Sequence, residues 1–387
     1  MPTPGTDPGA PARASRPARR LRRAAPLALL LLAGSGARGA QTLQAGPPSA
    51  PVLAVLERDV ARVELEGRRL VDVALGRGAE LSSLVAAGDR WLLAGSRLAV
   101  DGRRRLAIVA GDDLGWREIP SPPGLNSRAR SGAVLLGDPD GLDLRGELVL
   151  AWLEGDGTQR QSVRAARYQG GAFGEPELVA ASGPGSQVAL RGAVLTDGTP
   201  LLVWNAFDGT DNEIVWSWSR GGVWSPPQRI GGDNTVPDVS PQVAAQGTGA
   251  VVAWSRYDGR DYRVVVSRLA GDAWSSPRPV GAPGSMPARL LADGEGALLL
   301  YQETAPRRWT VVRLKPRDGG GLRVANRATA RSERGDPPAV ALPGVGAVEL
   351  DWVGEAPDDS GMIRREPSSL VLPWRADPTG APSRRLR

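Results

Sequence analysis

A chain of 387 residues with 50 glycines, 34 prolines and 12 tryptophans, but only four tyrosines and two phenylalanines, describes a turn-rich protein whose aromatic burial rests on tryptophan. It has no cysteine and no histidine, which excludes disulfides, Cys/His zinc centres, cysteine nucleophiles, Ser-His-Asp triads and histidine bases. The net charge of +6 carries no nucleic-acid signal, because residues 1–39 hold seven of the 48 bases and one of the 42 acids, leaving 41 of each elsewhere.

In chain order, residues 1–39 read as a signal peptide: an Arg-rich stretch to Arg23, an apolar run from Ala24 to Ala33, then the small residues GSGARGA. Cleavage is expected after Ala37 or Gly39. An apolar run this short does not span a bilayer, so the chain is expected to be exported, periplasmic or secreted, by the general or the twin-arginine route, with no stable membrane span. Residues 40–50 read as a disordered linker. The runs PVLAVL (51–56) and ARVELEG (61–67) follow, and residues 377–387 read as a disordered tail.

Between these ends the chain repeats itself. Apolar runs ending in an aromatic recur at Trp152, Trp204, Trp254, Tyr301 and Trp352, with a weaker copy at Gly95; the successive steps from Gly95 are 57, 52, 50, 47 and 51 residues. A second marker, a Gly-containing turn before an aromatic, falls at Trp116, Phe173, Trp224 and Trp274 in the same register. The clearest unit reads as four short strands, 241–246, 250–257, 262–269 and 274–280, joined by Gly-rich and Asp-Gly hairpin turns. Four antiparallel strands in 40 to 50 residues make one propeller blade, which needs its neighbours to cover its apolar faces. The expectation is an all-β chain with a β-propeller over 51–376. Six blades are preferred, near 80–122, 128–180, 188–231, 238–281, 285–327 and 335–375. Seven are possible if 51–67 supplies another. Trp152, Trp204, Trp224, Trp254 and Trp274 are its structural repeat residues.

Ser217, Gly221 and Trp224, and again Ser267, Gly271 and Trp274, resemble the Asp-box (BNR-like) repeat Ser-x-Asp-x-Gly-x-x-Trp of sialidase-like propellers, with Ser219 and Leu269 in the Asp place. In that family the box is a fold element remote from the active site. The resemblance also implies, for an active member, a substrate-carboxylate clamp of three arginines, one in an Arg-Ile-Pro stretch, with a Tyr–Glu pair and an acidic Asp. Here the stretch reads REIP from Arg117 to Pro120, interrupted by Glu118. Tyr301, beside Glu303, occupies the repeat position filled elsewhere by tryptophan. No catalytic residue is therefore assigned.

The candidate ligand-binding residues are Asp208 and Asp211 in DGTD, Asp258 and Asp261 in DGRD, and Arg191 and Arg130 at starts of innermost strands. The two Asp-Gly loops join second to third strands and so share a face with the blade-to-blade connections. Carboxylates there can accept sugar hydroxyls or ligate a hard cation such as calcium; no other cofactor and no dedicated metal site is expected. The leading expectation is a monomeric, exported, non-catalytic propeller that binds a glycan or a protein through this loop face. A sialidase-like glycoside hydrolase or lyase and a structural module of an envelope complex are the alternatives.

Overall fold

The computed structural model describes residues 41–376 apart from 66–67, 88, 125–129, 138–147, 156–159, 233, 295, 305–306, 318–319, 332–336, 344–345, 353–355, 358–362 and 365–367. The expected leader and tail lie outside these residues. Every regular element described is a strand, and no helix is long and apolar enough to cross a membrane.

Among the described residues the strands form seven blade-like sheets, each running outwards in chain order from an innermost first strand, and one two-stranded pair, Ala356–Pro357 with Ile363–Arg364. Those first strands are Gln41–Ala45, Glu80–Ala87, Arg130–Leu136, Gln187–Val194, Asp238–Gln246, Ser285–Asp293 and Ala339–Ala341, and consecutive ones lie side by side around the first six blades. The chain is thus an all-β propeller with seven blades, the larger of the two numbers the repeat allows. The additional blade is the first, Gln41–Ala45, Val52–Glu57, Val60–Leu65 and Arg68–Ala74. It has no tryptophan anchor, which is why the aromatic register passes over it.

Residues 41–45 correct the expected linker. Their strand is the clasp of the ring. Gln44 Nε2 donates to the Val340 carbonyl at 2.6 Å and its Oε1 accepts from the Val340 amide at 2.9 Å, so one side chain pairs with the innermost strand of blade 7 as a backbone would. The Leu342 amide donates to Pro48 O (2.9 Å), and Arg289 Nη2 in blade 6 donates to Thr42 O (2.7 Å). Closure covers the apolar faces that the first and last blades would otherwise present to water.

Trp152, Trp204, Trp254 and Tyr301 are wholly buried in the second strands of blades 3 to 6 and pack between sheets, with Trp352 at the end of the second strand of blade 7. Opposite them the first strand carries a bulge, seen between Val188 and Arg191, Val239 and Gln242, and Pro287 and Arg289. The extra residue re-aims the side chains that follow it towards the ring axis.

The second marker also repeats as geometry. In blade 4 the hairpin turns at Gly221 and Gly222 (φ +57° and +82°), a conformation that suits glycine. The Ser217 hydroxyl then donates to Ser225 O at 2.7 Å, and Ser267 does the same to Ser275 O at 2.6 Å in blade 5. Trp224 and Trp274 are only partly buried on the core clusters they join, Trp274 meeting the edge of Trp216 at 5.7 Å. Trp224→Ala or Trp274→Ala is therefore expected to cost about 1 to 3 kcal/mol, below the range for a wholly buried indole. Urea midpoints of each variant against the parent chain check this.

Candidate functional site

The two Asp-Gly loops sit as expected between second and third strands, but their four carboxylates do not form one site. Asp208 Oδ1 accepts from the amides of Thr210 (2.7 Å) and Asp211 (3.1 Å), and Asp258 Oδ1 accepts from those of Arg260 (3.0 Å) and Asp261 (2.9 Å). These are Asx turns. The amide bond from Thr210 first, then that from Asp211 and the Arg229 charge, hold the Asp208 carboxyl below the usual carboxylate range. Asp258 is lowered in the same way, chiefly by the Asp261 amide. The second acids diverge: Asp211 is buried, whereas Asp261 stays partly exposed beside Arg260.

Asp211 belongs to a cluster that sequence reasoning missed. Glu213, which has no exposed surface, stands on the third strand of blade 4, and Asp238, equally buried, opens the first strand of blade 5. Asn234, on the connection between those blades, donates its amide and its Nδ2 to Glu213 and its Nδ2 to Asp238. Arg256 grips Asp238 through Nε (2.8 Å) and Nη2 (2.6 Å), and that bond raises the Arg256 pKa. Burial foremost, then the Asp238 and Asp211 charges, push Glu213 from 4.5 to about 7, against the Asn234 amide bond that lowers it. One carboxylate oxygen from each of Asp208, Asp211 and Glu213 lies within 4.8 Å of the others, close enough for a hard cation to bridge.

Glu213 sets a pH dependence. Between the unfolded pKa near 4.5 and the folded value of about 7, the folded chain keeps a proton that the unfolded chain has lost. The stabilising difference is complete below the unfolded value and declines as pH rises through 7. At about 1.4 kcal/mol per unit the full swing is about 3 kcal/mol. Glu213→Gln, which cannot ionise, is expected to flatten this dependence and to exceed the parent chain in stability at pH 8. Urea unfolding of both chains at pH 5 and pH 8 measures it.

Arg130 does not reach the central channel. It is buried, donates from Nε to Glu154 Oε2 at 3.0 Å and from Nη1 to Pro122 O at 3.2 Å, and stacks 5.4 Å from the Trp152 ring. Arg130 pairs in register with Glu154, and Asp238 with Arg256 in the same way two blades on, so one blade position carries the same ion pair with its charges exchanged. In both blades the arginine lies against the neighbouring repeat tryptophan. Arg191, in contrast, does line the channel.

The residues named by the sialidase-like resemblance are occupied elsewhere. Arg117 and Glu118 lie on the exposed outermost strand of blade 2, where Glu118 meets Arg97 at 2.7 Å. The Tyr301 hydroxyl is buried and accepts from Arg327, burial raising its pKa, and Glu303 is held by Arg308 and Thr310.

The loop-face end of the boundary between blades 3 and 4 forms a groove of about 370 Å³, reached past Ala181 and Pro184 and walled by Phe207, Gln228 and Arg229, with the buried Trp204 behind its floor. Arg229 Nη2 donates to Asp208 Oδ2 at 2.8 Å, so the hairpin acid and the groove arginine form one charged rim. Gln187, deeper in the groove, accepts from Trp204 Nε1 at 2.6 Å and donates to Ala181 O at 3.0 Å. A partly buried aromatic ring beside guanidinium and carboxamide groups can stack an apolar ring face with the part it leaves open, while those groups hydrogen-bond the hydroxyls at its edge.

No family model matches the chain, and no curated protein matches it in sequence. Among solved structures it is similar to the six-bladed β-propeller lectin of the fungus Aleuria aurantia, at 11% identity over 74% of this chain and 94% of that one, with a TM-score of 0.46. It is similar also to a thermostable family-43 glycoside hydrolase, at 12% identity over 64% and 93% of the two chains, TM-score 0.39. A third similarity is to a puromycin-hydrolyzing peptidase of Mycobacterium tuberculosis, at 12% identity over 86% of this chain and 51% of that one, TM-score 0.49. The chain spans about half the length of that peptidase, and the assignment of the fold rests on its own strand order.

Proposed function

We propose that the chain is an exported, non-catalytic propeller that binds a glycan on its loop face, in the groove between blades 3 and 4. The observation that carries this reading is the groove itself, which sets Phe207 beside the Arg229–Asp208 pair at the mouth of an apolar cleft. A sugar offers matching chemistry: an apolar ring face for the aromatic side chain and hydroxyls for the charged rim. The Ser217 and Ser267 turns support kinship with Asp-box propellers, in which such turns build the fold. Export rests on the Arg-rich leader with its short apolar run.

Hydrolysis by a carboxylate pair requires an acid that touches the leaving oxygen and a partner that reaches the sugar ring. Glu213 has the raised pKa of such an acid but no exposed surface, and Glu154, Asp238 and Glu303 are buried in ion pairs. The mature chain is expected to bind members of a glycan array while releasing no product from a panel of fluorogenic glycosides that includes a sialoside. Turnover on any of them, lost on replacing Tyr301 or Glu303, would overturn the non-catalytic reading. Alanine at Asp208 or Asp258 is a poor probe because each builds its own turn; Phe207→Ala is the cleaner one.

A further inference from the structure

Five blades place the residue after their bulge at one matching register: Ser83 pairs with Ala94, Val134 with Ala151, Arg191 with Val203, Gln242 with Ala253 and Arg289 with Leu300. All five line a single cavity of about 320 Å³ where the inner strands converge. Two residues before Val134, Arg191 and Gln242, the backbone turns left-handed, at Gly132 (φ +59°), Ala189 (φ +53°) and Ser240 (φ +59°). For alanine and serine that conformation is strained, and strain held at repeated positions marks a geometry the surrounding structure enforces.

The cavity is electrically one-sided. It contains two guanidinium groups and, among the described residues, no carboxylate. Arg289 is the latch of the ring, donating Nε to Pro338 O (3.0 Å) and Nη2 to Thr42 O (2.7 Å). Among the described residues Arg191 makes one hydrogen bond, from Nη1 to the carbonyl of its own neighbour, Leu190, at 2.8 Å. Burial pulls its pKa below the usual arginine value, and no acid among the described residues opposes that. Arginine does not shed its proton in a protein, so a partly buried guanidinium that lines a cavity without a carboxylate among the described residues offers an anion a favourable partner.

We propose that Arg191 anchors an anion site on the propeller axis, which takes a small molecule through a carboxylate or phosphate group, with Gln242 and Ser83 supplying neutral hydrogen bonds beside the guanidinium. The planar fork of Arg191 suits two oxygens of either group. This site is distinct from the groove between blades 3 and 4 and does not depend on a glycan binding there.

The test is the melting temperature and binding isotherm of the mature chain in chloride-free buffer, titrated with inorganic phosphate and, separately, with succinate. Saturable stabilisation by at least one is expected, and the stronger of the two identifies the group the site prefers. Arg191→Gln is expected to weaken that binding at least tenfold and, with no anion present, to melt no lower than the parent chain, because an uncompensated charge has been removed. The surface variant Arg260→Gln is expected to bind as the parent does. Should Arg191→Gln fail to fold, Gln242→Ala carries the test and must weaken binding severalfold. Absence of saturable stabilisation, unchanged affinity in Arg191→Gln or Gln242→Ala, or a lower anion-free melting temperature in Arg191→Gln overturns the proposal.

Discussion

Trp204→Ala is expected to destabilise the propeller by about 3 to 5 kcal/mol, the largest effect of any single repeat residue. The indole has no exposed surface, packs between blades 3 and 4, and satisfies its Nε1 on Gln187 at 2.6 Å. Deleting it leaves a cavity and an orphaned Gln187 oxygen. The Phe variants separate these two contributions. Trp204→Phe breaks the Gln187 bond and should cost about 1 to 3 kcal/mol for the unpaired group in addition to lost volume. Trp254 is equally buried but its Nε1 has no hydrogen-bond partner among the described residues. Trp254→Phe should therefore cost less than Trp204→Phe, and urea unfolding of the two variants side by side checks the order.

Asp238→Ala is expected to cost about 3 to 5 kcal/mol, as removing one member of a buried ion pair leaves the other charge uncompensated. The Asp238 side chain is fully buried while that of Arg256 is 25% exposed, so water reaching the guanidinium should keep the loss near the lower end. Asp238→Asn has a second readout. It removes one of the like charges that raise Glu213, so the pH at which stability declines should move down. A pH profile unchanged by Asp238→Asn would mean that the two carboxylates do not feel each other.

What the sequence displays and what it hides follow from the range of the interactions involved. A large aromatic at a steady spacing of about 50 residues is a local mark of a buried strand, so Trp152, Trp204, Trp254 and even Tyr301 are readable as packing positions. The first blade offers no such mark. Its inner strand, QTLQA, is short, polar and followed by two prolines, and what makes it a strand is a Gln44 side chain meeting Val340 almost 300 residues later. At the loop face the Asp-Gly turns are legible because turn chemistry is local. Glu213 and Asp238 look like ordinary single acids, and only the packing of blade 4 against blade 5 buries them side by side. Arg130 is opaque for a related reason: its partner Glu154 is fixed by cross-strand register, which a one-residue shift would abolish.

The binding reading stands or falls on one titration: calorimetry of the strongest glycan from the array against the parent chain and Phe207→Ala, both confirmed folded by their melting curves. The account predicts saturable binding by the parent chain and at least a tenfold loss in Phe207→Ala, since the aromatic wall of the groove is what the sugar ring stacks on. Equal affinity in the two chains, or heat of hydrolysis in place of a binding isotherm, would contradict it.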